Sequence, residues 1–340
     1  MKKVAQFIVL SAIALLSLRQ AAAQTANPDL LAQAKREGRV TWYTTVSIPE
    51  AKTFTDMFEK LYPFIRVDLF RSGTGALVNR VVSEYSARNY SADVLQGVAS
   101  RGGLTLLKKR EIITRYESPE FKYLAGDLKD PQGYWGSTYL NTFVLAYNTR
   151  NVKPADVPKS YDDLLKPLWK NRQIINDTDN FEWFDGLLKA WGKDKGLAYF
   201  KRLAGQNQIF QRGARGRVQL VAAGEATLTI AYGPHAQAFV NQGAPIEWVA
   251  LEPVVVIVNT ASLATRAPHP AAARLFIDFL LSKPAQLKLR ELSRIPSRTD
   301  VDADPPRLNK GFKKVVQDLE NDSMAESIKL YQQIFGLTPG

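Results

Sequence analysis

Three times before residue 110 the chain runs from apolar strand to polar turn to helix, and few folds accommodate that rhythm. The first unit is "VTWYTTVSIPEAKTFTDMFEKLYP", from Val40 to Pro63. Its residues Ala51, Phe54, Met57, Phe58 and Leu61 recur at three- and four-residue steps and predict one buried helix face. In "IRVDLF", Ile65, Val67 and Leu69 alternate with polar partners; "RSGTG" then breaks the pattern, and Leu77, Val78, Val81, Val82 and Tyr85 restart it at helical spacing. The third unit is "ADVLQG" followed by "LTLLKKR". Such alternation predicts a parallel sheet with helices on its faces.

After a turn at Pro131 to Ser137 the same rhythm predicts a second block. It holds the strand "TFVLAYNT", a helix near Tyr161 to Trp169, the strand "QIIN", the polar turn "DTDN" and the helix "FEWFDGLLKAW". Then come the helix "GRVQLVAAGE", the strand "ATLTIAY" and a helix from Pro234 to Asn241. "EPVVVIVN" reads as a buried strand, "HPAAARLFIDFLLS" and "PAQLKLREL" as helices, "RIPSRTD" as a loop, and Leu308 to Phe335 as a helical tail. With 340 residues, 45% of them hydrophobic, the chain can bury two cores. It shows no fixed-period repeat and no low-complexity linker. Two α/β lobes without a flexible spacer predict a chain that crosses between them more than once, which makes a cleft.

The first residues bear on compartment. Lys2 and Lys3 precede an apolar run from Phe7 to Leu18, and Ala21 to Ala23 supply the small residues of a cleavage site, so residues 1–23 read as an export signal with maturation near Gln24. The run is too short for a comfortable membrane span, so no stable insertion is expected once the signal is removed; a retained N-terminal anchor is the alternative. The chain has no cysteine, which excludes a lipoprotein anchor and any disulfide, and export then points to a bacterial periplasm. Taking Lys2, Lys3 and Arg19 from the formal charge of +12 leaves +9. The basic residues are scattered rather than gathered in a stripe with aromatics, so no nucleic-acid partner is expected. A positive field that favours small anions remains.

In open α/β sheets ligands bind at the carboxyl ends of strands, beside helix N-termini whose N–H groups and dipoles suit negative charge. Four turns qualify: Thr44-Thr45-Val46-Ser47, Ser72-Gly73-Thr74-Gly75, Gln96-Gly97 and Asp177-Thr178-Asp179-Asn180. Any one of them also reads as an ordinary helix cap or tight turn; their repetition at several strand ends favours a ligand role. Arg71, Arg212, Arg215 and Arg217 could grip a carboxylate or phosphate with paired hydrogen bonds, though most arginines are solvated surface. Tyr232 ends a strand, Asn141 lies on the strand entering the second block, and Phe181 is the member of the Phe181, Trp183 and Phe184 group nearest a loop. His235 and His269 are the only histidines, so no metal-ligand cluster or cofactor site is expected.

In their order and spacing, "GRVTWYT", "SADVLQG", "LNTFVLAYNTRNV", "SYDDLLKPLWKNR", "VAAGEATLTIAYG", "HPAAARLFIDFLLS" and "SRIPSRTDV" resemble the periplasmic substrate-binding proteins of ABC importers, in the branch of the bacterial ferric-iron-binding proteins. The resemblance implies a type II periplasmic-binding-protein fold: two α/β lobes with central mixed sheets joined by crossing strands. The lobes would span 24–135 plus 252–300 and 136–251 plus 301–340. It also implies a monomer that delivers a solute to an ABC permease and its ATPase. The family's ferric site uses a histidine in the first polar turn, an acidic residue after the third strand and two adjacent tyrosines. Here those positions read Ser47, Val98 or its neighbour, and Tyr232-Gly233. Fe(III) wants anionic oxygen ligands, and one phenol remains.

Transport of a small anionic solute, an organic carboxylate, phosphonate or phosphate ester, is therefore the leading expectation. Ferric transport with an altered ligand set, or a sensor that reports a solute to a membrane receptor, are the alternatives. An enzyme is disfavoured, because two histidines and no cysteine leave the usual nucleophile and base arrangements thin.

Overall fold

The computed structural model describes residues 27–171, 174–320 and 323–338, so the export signal expected at 1–23 lies outside them. Among the described residues twelve strands form: β1 (Arg39–Thr44), β2 (Arg66–Arg71), β3 (Val94–Gln96), β4 (Ile113–Thr114), β5 (Gly136–Asn148), β6 (Ile174–Asn176), β7 (Ile209–Phe210), β8 (Leu228–Tyr232), β9 (Ile246–Val249), β10 (Val254–Ala264), β11 (Ile295–Pro296) and β12 (Lys314–Val316). Their spatial order is β2-β1-β3-β10-β5-β8-β6-β7. β1, β2 and β3 are parallel, as are β8, β6 and β7. β10 and β5 run antiparallel to each other between those groups. The sheet is therefore mixed, with a parallel set at each end.

β5 and β10 carry the chain between the two halves, which we call the first lobe (around β1 to β4) and the second lobe (around β6 to β9). Gly136 to Thr142 of β5 pair with β10, whereas Phe143 to Asn148 pair with β8 and β9. β5 is buried along almost its whole length, as expected of a strand covered on both faces. Among the described residues no helix is long and apolar enough to cross a membrane.

Each lobe has its own aromatic core. In the first, Phe276 of the Pro270–Leu281 helix meets Trp42 at 5.1 Å and Phe58 at 4.9 Å between ring centroids. In the second, Phe184 meets Phe200 at 4.5 Å, and Tyr331 of the C-terminal helix lies edge-on to Phe181 at 5.3 Å. Tyr331 also donates a hydrogen bond to the Asp177 carbonyl, so the last helix props the polar turn after β6.

Three expectations need correcting. Tyr161 to Trp169 is not one helix but two short 3₁₀ turns, Asp162–Leu165 and Pro167–Trp169. Pro167 disfavours helical geometry at Lys166, which is extended (φ −66°, ψ 145°). Nor is the tail helical from Leu308: Lys314 to Val316 pair with Val254 to Val256 as β12, and the helix begins only at Met324. The register of β10 overrides the helical spacing there. Within "RIPSRTD", Ile295 and Pro296 pair with β5 as β11.

Asp278 pins the Pro270–Leu281 helix to the loop before β5, accepting hydrogen bonds from Tyr116 Oη (2.7 Å) and Ser118 Oγ (2.5 Å). Burial outweighs both bonds and pushes its carboxyl up to about 6. A carboxyl raised on folding keeps its proton longer in the native state, so stability falls as pH rises from about 4 to about 6. That contribution is at most about 3 kcal/mol. Asp278→Asn should flatten the denaturant-unfolding pH profile across that window; an unchanged slope would refute the assignment.

Candidate functional site

The first-lobe turns meet the crossing strands through a chain of hydroxyl and amide groups. Thr44 Oγ1 donates to Gln96 Oε1 (2.9 Å) and accepts from the Val46 N–H (3.1 Å). Gln96 Nε2 donates to Thr138 Oγ1 (2.8 Å), which donates to the Asn259 carbonyl (2.9 Å). All three side chains are buried and committed to one another. Gly97 has φ +76°, and a Cβ there would lie 2.0 Å from Thr45 Oγ1, so only glycine lets Thr45 approach. Thr74 Oγ1 donates to the Gly97 carbonyl (3.1 Å), and the Ser72 N–H to the Thr44 carbonyl (3.1 Å). Thr44, Thr45, Ser72, Thr74, Gln96 and Gly97 thus form one rim. Ser47, Arg71 and Gly73 lie further out and are exposed; Ser47 Oγ donates to Glu50 Oε2 (2.7 Å).

On the second lobe, Arg217 is fully buried. Its guanidinium pairs with Asp177 and donates to the Gln211 carbonyl (3.1 Å), the Ile230 carbonyl (3.1 Å) and Thr229 Oγ1 (3.2 Å). It is an internal strut for the turn that carries Thr178 and Asp179. Burial and the neighbouring Asp179 push the Asp177 carboxyl up to about 6 against the pull of Arg217. Asn180 Nδ2 donates to Asn176 Oδ1 (2.8 Å), and Phe181 is buried against Tyr331. Arg212 is exposed and pairs with Asp179 at 3.4 Å, while Arg215 is exposed with its guanidinium 5.6 Å from the Phe239 ring. Tyr232 is half-buried; burial, then the carboxylates of Glu182, Asp177 and Asp179, push its phenol well up.

Two arginines carry contacts across the seam. Arg101, in left-handed geometry (φ 60°) after β3, pairs with Asp179, donates its N–H to Glu182 Oε1 (2.9 Å) and stands 4.9 Å from the Phe181 ring. Arg294, just before β11, grips Glu50 of the first lobe with two bonds of 2.8 Å. Its third nitrogen lies 3.3 Å from His235 Nε2 of the second lobe. Burial, then the charge of Arg294, push the His235 imidazole down to about 3, so it is neutral near pH 7.

Neither Arg101 nor Arg294 stands out in the sequence, because each meets its partners across long separations. Position 233 has a physical reason to be glycine: a Cβ would come 2.7 Å from Thr142 Oγ1 on β5 and 3.3 Å from Leu308 and Val144. Any side chain beside Tyr232 would require Thr142 to shift. Among the described residues no three His, Asp or Glu side chains gather as metal ligands.

Two α/β lobes joined by crossing strands, with side chains of both meeting at the seam, define a type II periplasmic-binding-protein architecture. Residues 89–318 match the bacterial extracellular solute-binding protein family, and the chain belongs to it. It is 28% identical to iron uptake protein A1 of Synechocystis sp. over 254 residues, 67% of each chain. It is 27% identical over 252 residues to a putative 2-aminoethylphosphonate-binding periplasmic protein of Salmonella typhimurium, covering 70% of this chain and 71% of that one. The periplasmic binding protein AfuA from Actinobacillus pleuropneumoniae, solved with fructose-6-phosphate, superposes with a TM-score of 0.76 at 23% identity, over 88% of this chain and 99% of that one.

Proposed function

We propose that the protein is a periplasmic binding component of an ABC importer that closes its lobes on a small anionic solute, a carboxylate, phosphonate or phosphate ester, and hands it to a permease. The observation that carries the anionic reading is Gly233. Position 233 carries no phenol, and a Cβ there would already press on the Thr142 hydroxyl of the crossing strand at 2.7 Å, so the paired-tyrosine ferric arrangement is not present. A relative described as a putative 2-aminoethylphosphonate-binding protein and a structural neighbour solved with fructose-6-phosphate support an anionic solute. The candidate donors are Thr45, Thr74 and the Gly97 region on one side, and Thr178, Asn180 and Tyr232 on the other. Closure responds to a ligand only through contacts made better in the closed state, and donors from both lobes meet that need.

The test is a thermal-shift panel of inorganic phosphate, fructose-6-phosphate, 2-aminoethylphosphonate and citrate. Binding to the native state raises the melting temperature by mass action, by about 2.7 kcal/mol of stability at a hundredfold excess over Kd. An anion that binds saturably without being converted supports a carrier; conversion of the probe would make the protein an enzyme. A second reading is ferric transport, favoured by the Tyr232 phenol, a hard oxygen donor that feels the charges of Glu182, Asp177 and Asp179 although those carboxylates are not gathered as metal ligands. A visible absorption band on adding ferric citrate, with no response to the organic anions, would select it. Loss of solute uptake on gene deletion separates transport from sensing.

A further inference from the structure

Asn141 Oδ1, Asn259 Nδ2 and His235 Nδ1 are buried and meet no hydrogen-bond partner. Buried polar atoms are nearly always paired, and an exception calls for an explanation, of which a water, an ion or a ligand at the site is one. A chain of ladder and ring contacts links the three. Tyr139, Asn141 and Phe143 alternate onto one face of β5, and Tyr139 is the ladder partner of Asn259. The Phe143 ring lies 5.0 Å from Tyr232, and Tyr232 lies 5.7 Å from His235. The Arg294 guanidinium lies 5.6 Å from the Tyr139 ring and 3.3 Å from His235 Nε2. Asn141, only 6% exposed, is thus flanked on its own strand by residues that touch the neighbours of His235 and Arg294.

The chemistry of the patch suits an oxyanion. A guanidinium nitrogen can only donate, so His235 Nε2 accepts and the ring proton resides on Nδ1. The unpaired atom of His235 is then an N–H donor. Asn259 Nδ2 is a donor as it stands, and the Asn141 amide offers Nδ2 after a half-turn. Arg294 supplies positive charge, tempered by Glu50, and the charges of Arg215 and Arg217 also reach His235.

We propose that Asn141, Asn259, His235 and Arg294 form the innermost subsite of the interlobe site and take one oxygen-rich anionic head of the solute, a carboxylate, phosphonate or phosphate monoester. The assignment rests on the anionic-solute reading above. It makes His235 and Asn141 the specificity-determining donors and leaves the outer rim of Thr45, Thr74 and Gly97 to the rest of the solute.

The chain has only two histidines, and His269, tied to Asp93 Oδ2 at 2.9 Å, is an internal control. Imidazole 1H–15N spectra are recorded on the full chain with and without inorganic phosphate, fructose-6-phosphate and 2-aminoethylphosphonate, beside the thermal shifts. A probe that raises the melting temperature should move the His235 Nδ1 resonance and leave His269 in place. His235→Phe and Asn141→Leu should each weaken that probe at least about tenfold. If a probe stabilises the chain while the His235 signal stays put, or both variants bind within about twofold of the parent, the subsite is wrong and the solute-binding reading stands. If no probe stabilises the chain or moves either histidine, the anionic reading fails and the subsite fails with it. Should a variant melt early, the spectra of the parent chain decide.

Discussion

Arg217→Ala is expected to cost about 3–5 kcal/mol of stability, the largest effect of any single substitution at this site. Arg217 is fully buried and reaches four partners: the Asp177 carboxylate, two carbonyls and a hydroxyl. Its removal takes the guanidinium from the buried Asp177 carboxyl, which then accepts from the Asp179 N–H at 3.3 Å. The penalty is mostly that of an uncompensated charge, not the value of the pair. Arg217→Met combined with Asp177→Asn should therefore recover at least half of the loss, because asparagine can still accept from Asp179 without carrying charge. Urea unfolding of the parent, single and double variants tests this. A single-variant cost below about 1 kcal/mol, or a double variant worse than the single, would show that Arg217 is not an internal strut.

The second large effect is expected at Gly97, where alanine meets two penalties at once. A side chain at φ +76° strains the backbone, and the new Cβ would fall 2.0 Å from Thr45 Oγ1 and 3.0 Å from Thr45 Cβ. Left-handed strain and overpacking each cost roughly 1–3 kcal/mol, so a loss of at least about 2 kcal/mol is expected. Thr45 must move, and with it the rim that includes Thr74 and the end of β1. Affinity for whichever anion of the thermal-shift panel stabilises the parent should fall at least about tenfold, measured by titration calorimetry. Thr45→Ala should not restore Gly97→Ala, because the Cβ contact and the backbone strain persist. A Gly97→Ala protein with unchanged unfolding midpoint and affinity would mean that the two loops do not form a common rim.

The strand, turn and helix rhythm was readable because burying one face imposes a local period on the residues of each element. The exceptions have local or long-range causes. Pro167 split an expected helix into two turns through its effect on Lys166. In the tail, pairing of Lys314 to Val316 with β10 outweighed helical spacing. The rim turns were also visible as polar breaks between apolar runs. What each of their side chains does was not: Thr44 and Gln96 bond each other and the crossing strands, whereas Thr45 packs on Gly97.

By itself, the sequence was enough to establish most of the order of elements, the two-lobed α/β class and the places where polar loops interrupt apolar ones, since these follow from short-range periodicity and turn chemistry. Only the tertiary structure decided which arginines are internal and which cross the seam. Arg217 and Arg294 look alike in one dimension, yet one is locked to Asp177 inside a lobe while the other joins Glu50, 244 residues away, to His235. A guanidinium's role depends on which carboxylates and carbonyls are near it and how much water is excluded, and both are set by contacts between residues far apart in the chain.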